Sequence, residues 1–95
     1  MMLHIAVLRL RFHLEGCASL KDKRQRLSGL RDRFGRLPGV AVCESEAHDS
    51  LAEAEWSFVA AGGSRQITDR LVADVESFVA ESVDARVMAR HLEYA

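Results

Sequence analysis

Residues 3–14 read Leu-His-Ile-Ala-Val-Leu-Arg-Leu-Arg-Phe-His-Leu, and residues 15–24 continue Glu-Gly-Cys-Ala-Ser-Leu-Lys-Asp-Lys-Arg. The first run alternates with a period of two. Leu8, Leu10, Phe12 and Leu14 fall on one face and Arg9, Arg11 and His13 on the other, as a half-buried strand requires. In its first part the second face is apolar too, through Leu3, Ile5 and Val7, so this strand belongs inside a sheet. The Glu15–Ala18 segment then breaks the pattern. Ser19 has the chemistry of a helix N-cap, and Asp22 favours the positive helix start. Leu20, Leu27, Leu30 and Phe34 recur at helical spacing as one buried stripe, with Lys23 falling inside it at the first turn. Gly35 and then Pro38-Gly39 stop the helix.

Beyond that start, Val40 to Glu46 reads as a strand, Ala47 to Ser50 as a turn, and Glu55 to Ala61 as the returning strand, with Trp56 and Phe58 on one face. Gly62-Gly63-Ser64 leads into a second helix capped by Ser64. Its apolar stripe is Ile67, Leu71, Val75, Phe78 and Val79. Val83 to Tyr94 closes the chain as a strand. The resulting order is βαββαβ. Two interlocked βαβ units predict an α+β, ferredoxin-like sandwich: a four-stranded antiparallel sheet in the order 4-1-3-2 with both helices on one face. No repeat, linker or low-complexity stretch interrupts residues 1–95, which read as a single domain.

Composition excludes several classes. A hydrophobic content of 48% is that of a globular chain rather than a disordered one. No apolar run approaches the roughly 20 residues that span a bilayer, so no membrane role is expected. Two cysteines and the lack of a signal-peptide pattern point to a reducing, cytoplasmic setting. Net charge is −1 but unevenly spread: residues 1–38 hold nine Lys/Arg against three Asp/Glu, and residues 39–95 hold four against eleven. Either the basic part meets a polyanion or the two parts neutralise each other.

Topology gathers His13, Cys17, Lys21, Lys23, Arg24, Glu46, His48, Asp49, Glu81 and Asp84 at one end of the sheet. Cys17, His13 and His48 could form a metal-sensing or small-ligand site, but they come singly from different loops without a metal-ligand spacing. A Cys17/His48 nucleophile pair lacks an orienting group, and Glu44, Glu46 and Asp49 are the carboxylates any polar turn supplies. Gly62-Gly63-Ser64 precedes a helix but lacks the lysine and spacing of a phosphate-binding loop. No catalytic residues, metal or cofactor are therefore expected.

The basic first helix is the more informative feature. Asp74 and Glu81 on the second helix are expected to pair with one arginine pair of the first, among Arg24, Arg26, Arg31 and Arg33. The remaining cations are left for a partner. The first strand's open face carries no aromatic on which an RNA base could stack, and Trp56 and Phe58 of the third strand either supply two such rings or belong to the core.

The run Val7-Leu8-Arg9-Leu10-Arg11-Phe12, the short glycine-containing loop, and Ser19-Leu20-Lys21-Asp22-Lys23-Arg24 resemble the YlxP-like family of small bacterial proteins of unknown function. The likeness continues through Val40–Glu44, His48-Asp49 and Ala54 to Phe78. It implies a ferredoxin-like fold and no established activity or agreed catalytic residues. A gene setting among translation genes, beside that of ribosome-binding factor A, implies RNA or ribosome work. The leading expectation is a non-enzymatic module contacting RNA or a ribosomal particle, rather than DNA, through Arg9, Arg11, Lys21, Lys23, Arg24 and Arg31. The competing one is a homo-oligomer associating through Leu3, Ile5 and Val7 on the open sheet face.

Overall fold

The computed structural model describes residues 2–95. Strand β1 (His4–His13) leads to helix α1 (Leu20–Phe34), strands β2 (Val40–Glu46) and β3 (Glu53–Gly62), helix α2 (Arg65–Ser82) and strand β4 (Arg86–Tyr94). The four strands form one sheet in the order β2-β3-β1-β4, with every neighbouring pair antiparallel. This is the expected βαββαβ arrangement, with the first and third strands central.

Alternation builds the core as the sequence requires. Ala6, Leu8, Leu10 and Phe12 of β1 and Ala54, Trp56, Phe58 and Ala60 of β3 are buried against Leu27, Leu30 and Phe34 of α1 and Val72, Val75 and Val79 of α2. Both helices therefore cover one face, and the other face of the sheet is bare. Trp56 and Phe58 belong to the covered face. Phe34 meets Phe58 and Phe78 edge-on, at ring separations of 5.9 and 5.5 Å. Gly29, unfavourable in a helix interior, has a reason here: a Cβ would stand 3.2 Å from the Phe78 ring, so the missing side chain lets α2's aromatic close on α1.

Both caps form. Ser19 Oγ accepts from Asp22 N at 3.1 Å, the Asp22 carboxylate accepts from Ala18 N at 3.4 Å, and Ser64 Oγ accepts from Ile67 N at 3.3 Å. Gly39 takes a φ of +84°, and a Cβ there would lie 2.9 Å from the Ala61 carbonyl oxygen, so the entry to β2 needs glycine.

The structure corrects several boundaries and faces. β3 runs from Glu53 to Gly62, longer at both ends than expected, because its ladder with β1 extends from His4↔Gly62 to His13↔Glu53. β4 starts at Arg86 rather than Val83: Val83 ends α2 by donating its N–H to Val79 O, and the β1 ladder has no partner beyond His13↔Arg86. Leu20 is 42% and Ile67 48% exposed, so neither belongs to the core stripe of its helix. Lys23 replaces Leu20 in α1, and Thr68 and Val72 replace Ile67 in α2. Thr68 satisfies its hydroxyl by donating to Arg65 O at 2.9 Å, which leaves its methyl to pack. No helix among the described residues is long and apolar enough to cross a membrane.

Candidate nucleic-acid interface

The six cations singled out from the sequence do not share a surface. Arg9 and Arg11 project from the bare face of the sheet, away from α1, and both are engaged. Arg11 donates to Glu53 at 3.0 Å and to Glu55 at 3.4 Å, and Arg9 lies 3.9 Å from Glu93. The hydrogen bond to Glu53 raises the Arg11 pKa above its ordinary value. Lys23 is 3% exposed. Its Nζ donates to the carbonyls of Ala47 and Ser50 at 2.7 Å each and stands 3.4 Å from the Glu44 carboxylate. It clamps the β2–β3 turn onto α1 and presents nothing to a partner.

Lys21, Arg24 and Arg31 are exposed, and among the described residues no carboxylate comes within ion-pair distance of them. At 100° per residue they fall within a sector of about 80° of α1 over about 15 Å of helix, with Arg24 and Arg31 beside the buried stripe, Lys21 on the outward face and Ser28 between them. Arg33 and Arg36 lie on the other side. Arg26 is spent locally: it donates to both Asp22 carboxylate oxygens at 3.2 Å and to Glu15 O at 2.8 Å, and lies 3.7 Å from Asp84. The hydrogen bonds from Arg26, then from Ala18 N, hold the Asp22 carboxyl below the usual carboxylate range.

The expected pairing of Asp74 or Glu81 with an α1 arginine does not occur: both acids are exposed and neither reaches any arginine of α1. The reason is rotational. The buried residues of α2 are Thr68, Val72, Val75 and Val79, a stripe turned roughly 60° from the expected one of Ile67, Leu71, Val75, Phe78 and Val79. That turn carries Asp74 and Glu81 toward solvent. Where the helices meet, arginine finds aromatic rings instead: Arg33 stands 5.5 Å from the Phe78 centroid and 5.9 Å from that of Phe34.

The cationic edge of α1 overlooks a cleft of about 320 Å³ between α1 and β2, floored by Leu27 and Trp56. Arg31 lies over the Trp56 ring at 5.5 Å. Sequence reasoning left Trp56 between core and sheet surface and missed its place here. The available signal was an indole N–H on a core-facing position, a donor that needs an acceptor wherever it is buried.

The other candidate groups stay separate. His13 Nε2 pairs with Glu15 at 3.1 Å, Cys17 Sγ contacts Ser19 O at 3.5 Å, and His48 Nε2 bonds Glu44 O at 3.0 Å. Among the described residues no three His, Cys, Asp or Glu side chains gather in a way that could hold a metal ion. Glu46 and Asp49 are exposed, and the Ser64 hydroxyl is used by its own helix.

A family model described as "Protein of unknown function (DUF503)" matches residues 5–92. The chain belongs to the DUF503 family. No curated protein matches it. Among solved structures, this DUF503 chain is similar to the de novo designed protein Foldit4, at 13% identity and a TM-score of 0.57, covering 99% of this chain and 97% of that one. It is similar to SnoaB, a cofactor-independent oxygenase from Streptomyces nogalater, at 11% identity and a TM-score of 0.54, covering 97% and 90%. It is also similar to a dimeric ferredoxin-like protein of unknown function from Thermobifida fusca, at 12% identity and a TM-score of 0.53, covering 98% and 90%. At such identities these likenesses show the ferredoxin-like fold of this DUF503 member and no more.

Proposed function

We propose that this protein is a cytoplasmic, non-enzymatic module that binds RNA, within a ribosomal particle as the YlxP-like resemblance implies, through the α1 edge formed by Lys21, Arg24 and Arg31. The observation that carries the reading is that these three cations lie within one sector of α1 and have no carboxylate partner among the described residues. Arg9, Arg11 and Lys23 leave the interface: the first two are on the far side of the sheet and the third is buried. Binding by three such cations is electrostatic, because each phosphate neutralised releases counterions. Three contacts predict that affinity for single-stranded RNA falls about 20-fold between roughly 50 and 200 mM salt, with little dependence on sequence. Fluorescence anisotropy with labelled RNA measures this. The Lys21→Glu/Arg24→Glu/Arg31→Glu variant is expected to lose binding while keeping the circular dichroism of the native fold. Unchanged binding by that variant sinks the reading.

The bare sheet face favours a second reading, self-association. Register sets Val7 beside Val59 and Val59 beside Ala41, and Ile5 beside Ala61, so half of that face is uncovered apolar surface. Leu3 continues it and is 60% exposed. The other half is polar and internally paired, through Arg11 with Glu53 and Glu55 and through Ser45 with Ser57.

A further inference from the structure

The chain's single tryptophan has an unmet hydrogen-bonding need. Trp56 is 5% exposed, and its Nε1–H has no acceptor among the described residues. Native interiors rarely leave a donor so, because it has lost water and gained nothing in return. The indole borders the cleft of about 320 Å³ between α1 and β2, a volume in the range of small-molecule sites. Over the indole ring stands the Arg31 guanidinium, 5.5 Å from its centroid, on an exposed side chain that can swing aside without repacking the core.

The cleft's unspent groups define what it can hold. Lys23 and Glu44 border it but are occupied by each other and by the β2–β3 turn. Leu20 and Leu27 supply apolar walls, and Arg24 and Arg31 a cationic rim offset in part by Asp32. His48 Nε2 donates to the Glu44 carbonyl, which only accepts, so Nδ1 is the ring nitrogen left unspent. The ligand that matches is flat, rich in hydrogen-bond acceptors, and anionic at one end. That is the chemistry of a nucleotide.

We infer that the α1/β2 cleft takes one unstacked nucleotide, its base against Leu27 and Trp56 with an acceptor on the indole N–H, and its phosphate on Arg24 and Arg31. Arg31 leaves the indole for the phosphate as the base enters. This rests on the RNA-binding reading, since Arg24 and Arg31 serve both. The nucleotide comes either from an unpaired position in an RNA or from a free nucleoside monophosphate.

A single tryptophan makes the test direct, because one indole N–H resonance in a ¹⁵N-labelled sample, and one emission band, report on this cleft alone. Three probes separate the sources: an unstructured RNA oligomer, an RNA duplex, and nucleoside monophosphates, with N-acetyltryptophanamide as the optical control. The oligomer is expected to shift the indole resonance and quench emission. The duplex is expected to bind, by anisotropy, with neither effect. Ser28→Phe plugs the exposed mouth of the cleft and keeps every cation; it is expected to weaken oligomer binding about tenfold, the loss of one stacked base, and to spare duplex binding. If the oligomer binds while the indole resonance stays fixed, the cleft inference falls and the polyanion reading survives. If monophosphates move the resonance while neither RNA binds, the cleft inference stands and the RNA reading falls. If no probe binds or moves it, both fall.

Discussion

Lys23 shows how a residue's type and its use can part. A lysine on a basic helix invites a reading as a nucleic-acid contact, yet its ammonium is held by two backbone carbonyls at 2.7 Å and by Glu44. Such a group is costly to desolvate and more costly to leave half-made. Lys23→Met keeps the aliphatic stem but leaves the Ala47 and Ser50 carbonyls and the Glu44 carboxylate without their donor. The expected loss is about 3 kcal/mol of unfolding free energy, read from urea denaturation. Adding Glu44→Gln should restore part of it; full stability in the single variant would contradict the clamp. Trp56 is the converse case, a residue the sequence left between core and open face, and the fold buries it with its N–H unpartnered.

At the scale of an element, the start of α1 carries a pH-sensitive device. Asp22 reaches back to Ala18 N, receives Ser19's cap on its own N–H, and is gripped by Arg26. These contacts favour the carboxylate, so its pKa is lower in the folded chain than in the unfolded one. The stabilisation is therefore fully present above the ordinary carboxylate range and is lost as pH falls through the lowered folded value. Asp22→Asn is expected to flatten that part of the acid limb of thermal stability, measured as Tm against pH, and Ser19→Ala to cost about 1 kcal/mol at all pH values. An acid limb identical in Asp22→Asn and the parent would show that the carboxylate is not held there. Helix α2 carries the opposite lesson. Its apolar residues are numerous enough to support two neighbouring stripes, and which one is buried followed from the sheet beneath it. Thr68 could enter the core because its hydroxyl found Arg65 O, and that choice turned Asp74 and Glu81 away from α1.

Across the whole molecule, the basic and acidic parts of the chain partly neutralise each other, through Arg9 with Glu93, Arg11 with Glu53 and Glu55, Lys23 with Glu44 and Arg26 with Asp84. Lys21, Arg24, Arg31, Arg33 and Arg36 are what remains on the α1 side. The bare sheet face measures about 600 Å² in projection, from four strands about 4.8 Å apart and seven to ten residues long at about 3.3 Å each. That is less than the roughly 800 Å² per partner of a standard interface. Association through it should be weak, seen in sedimentation velocity as a concentration-dependent shift that Val7→Glu removes. A shift that persists in that variant would exclude this face. The sequence by itself determined the element order and with it the sheet topology, both caps and the faces of β1, because periods of two and 3.6 and capping chemistry are local properties of the chain. The rotation of α2, the partners of Lys23, the separation of Arg9 and Arg11 from the α1 edge and the cleft beside Trp56 were decided only by the tertiary structure. Each depends on which groups distant in sequence are brought within a few ångströms, and no local pattern encodes that.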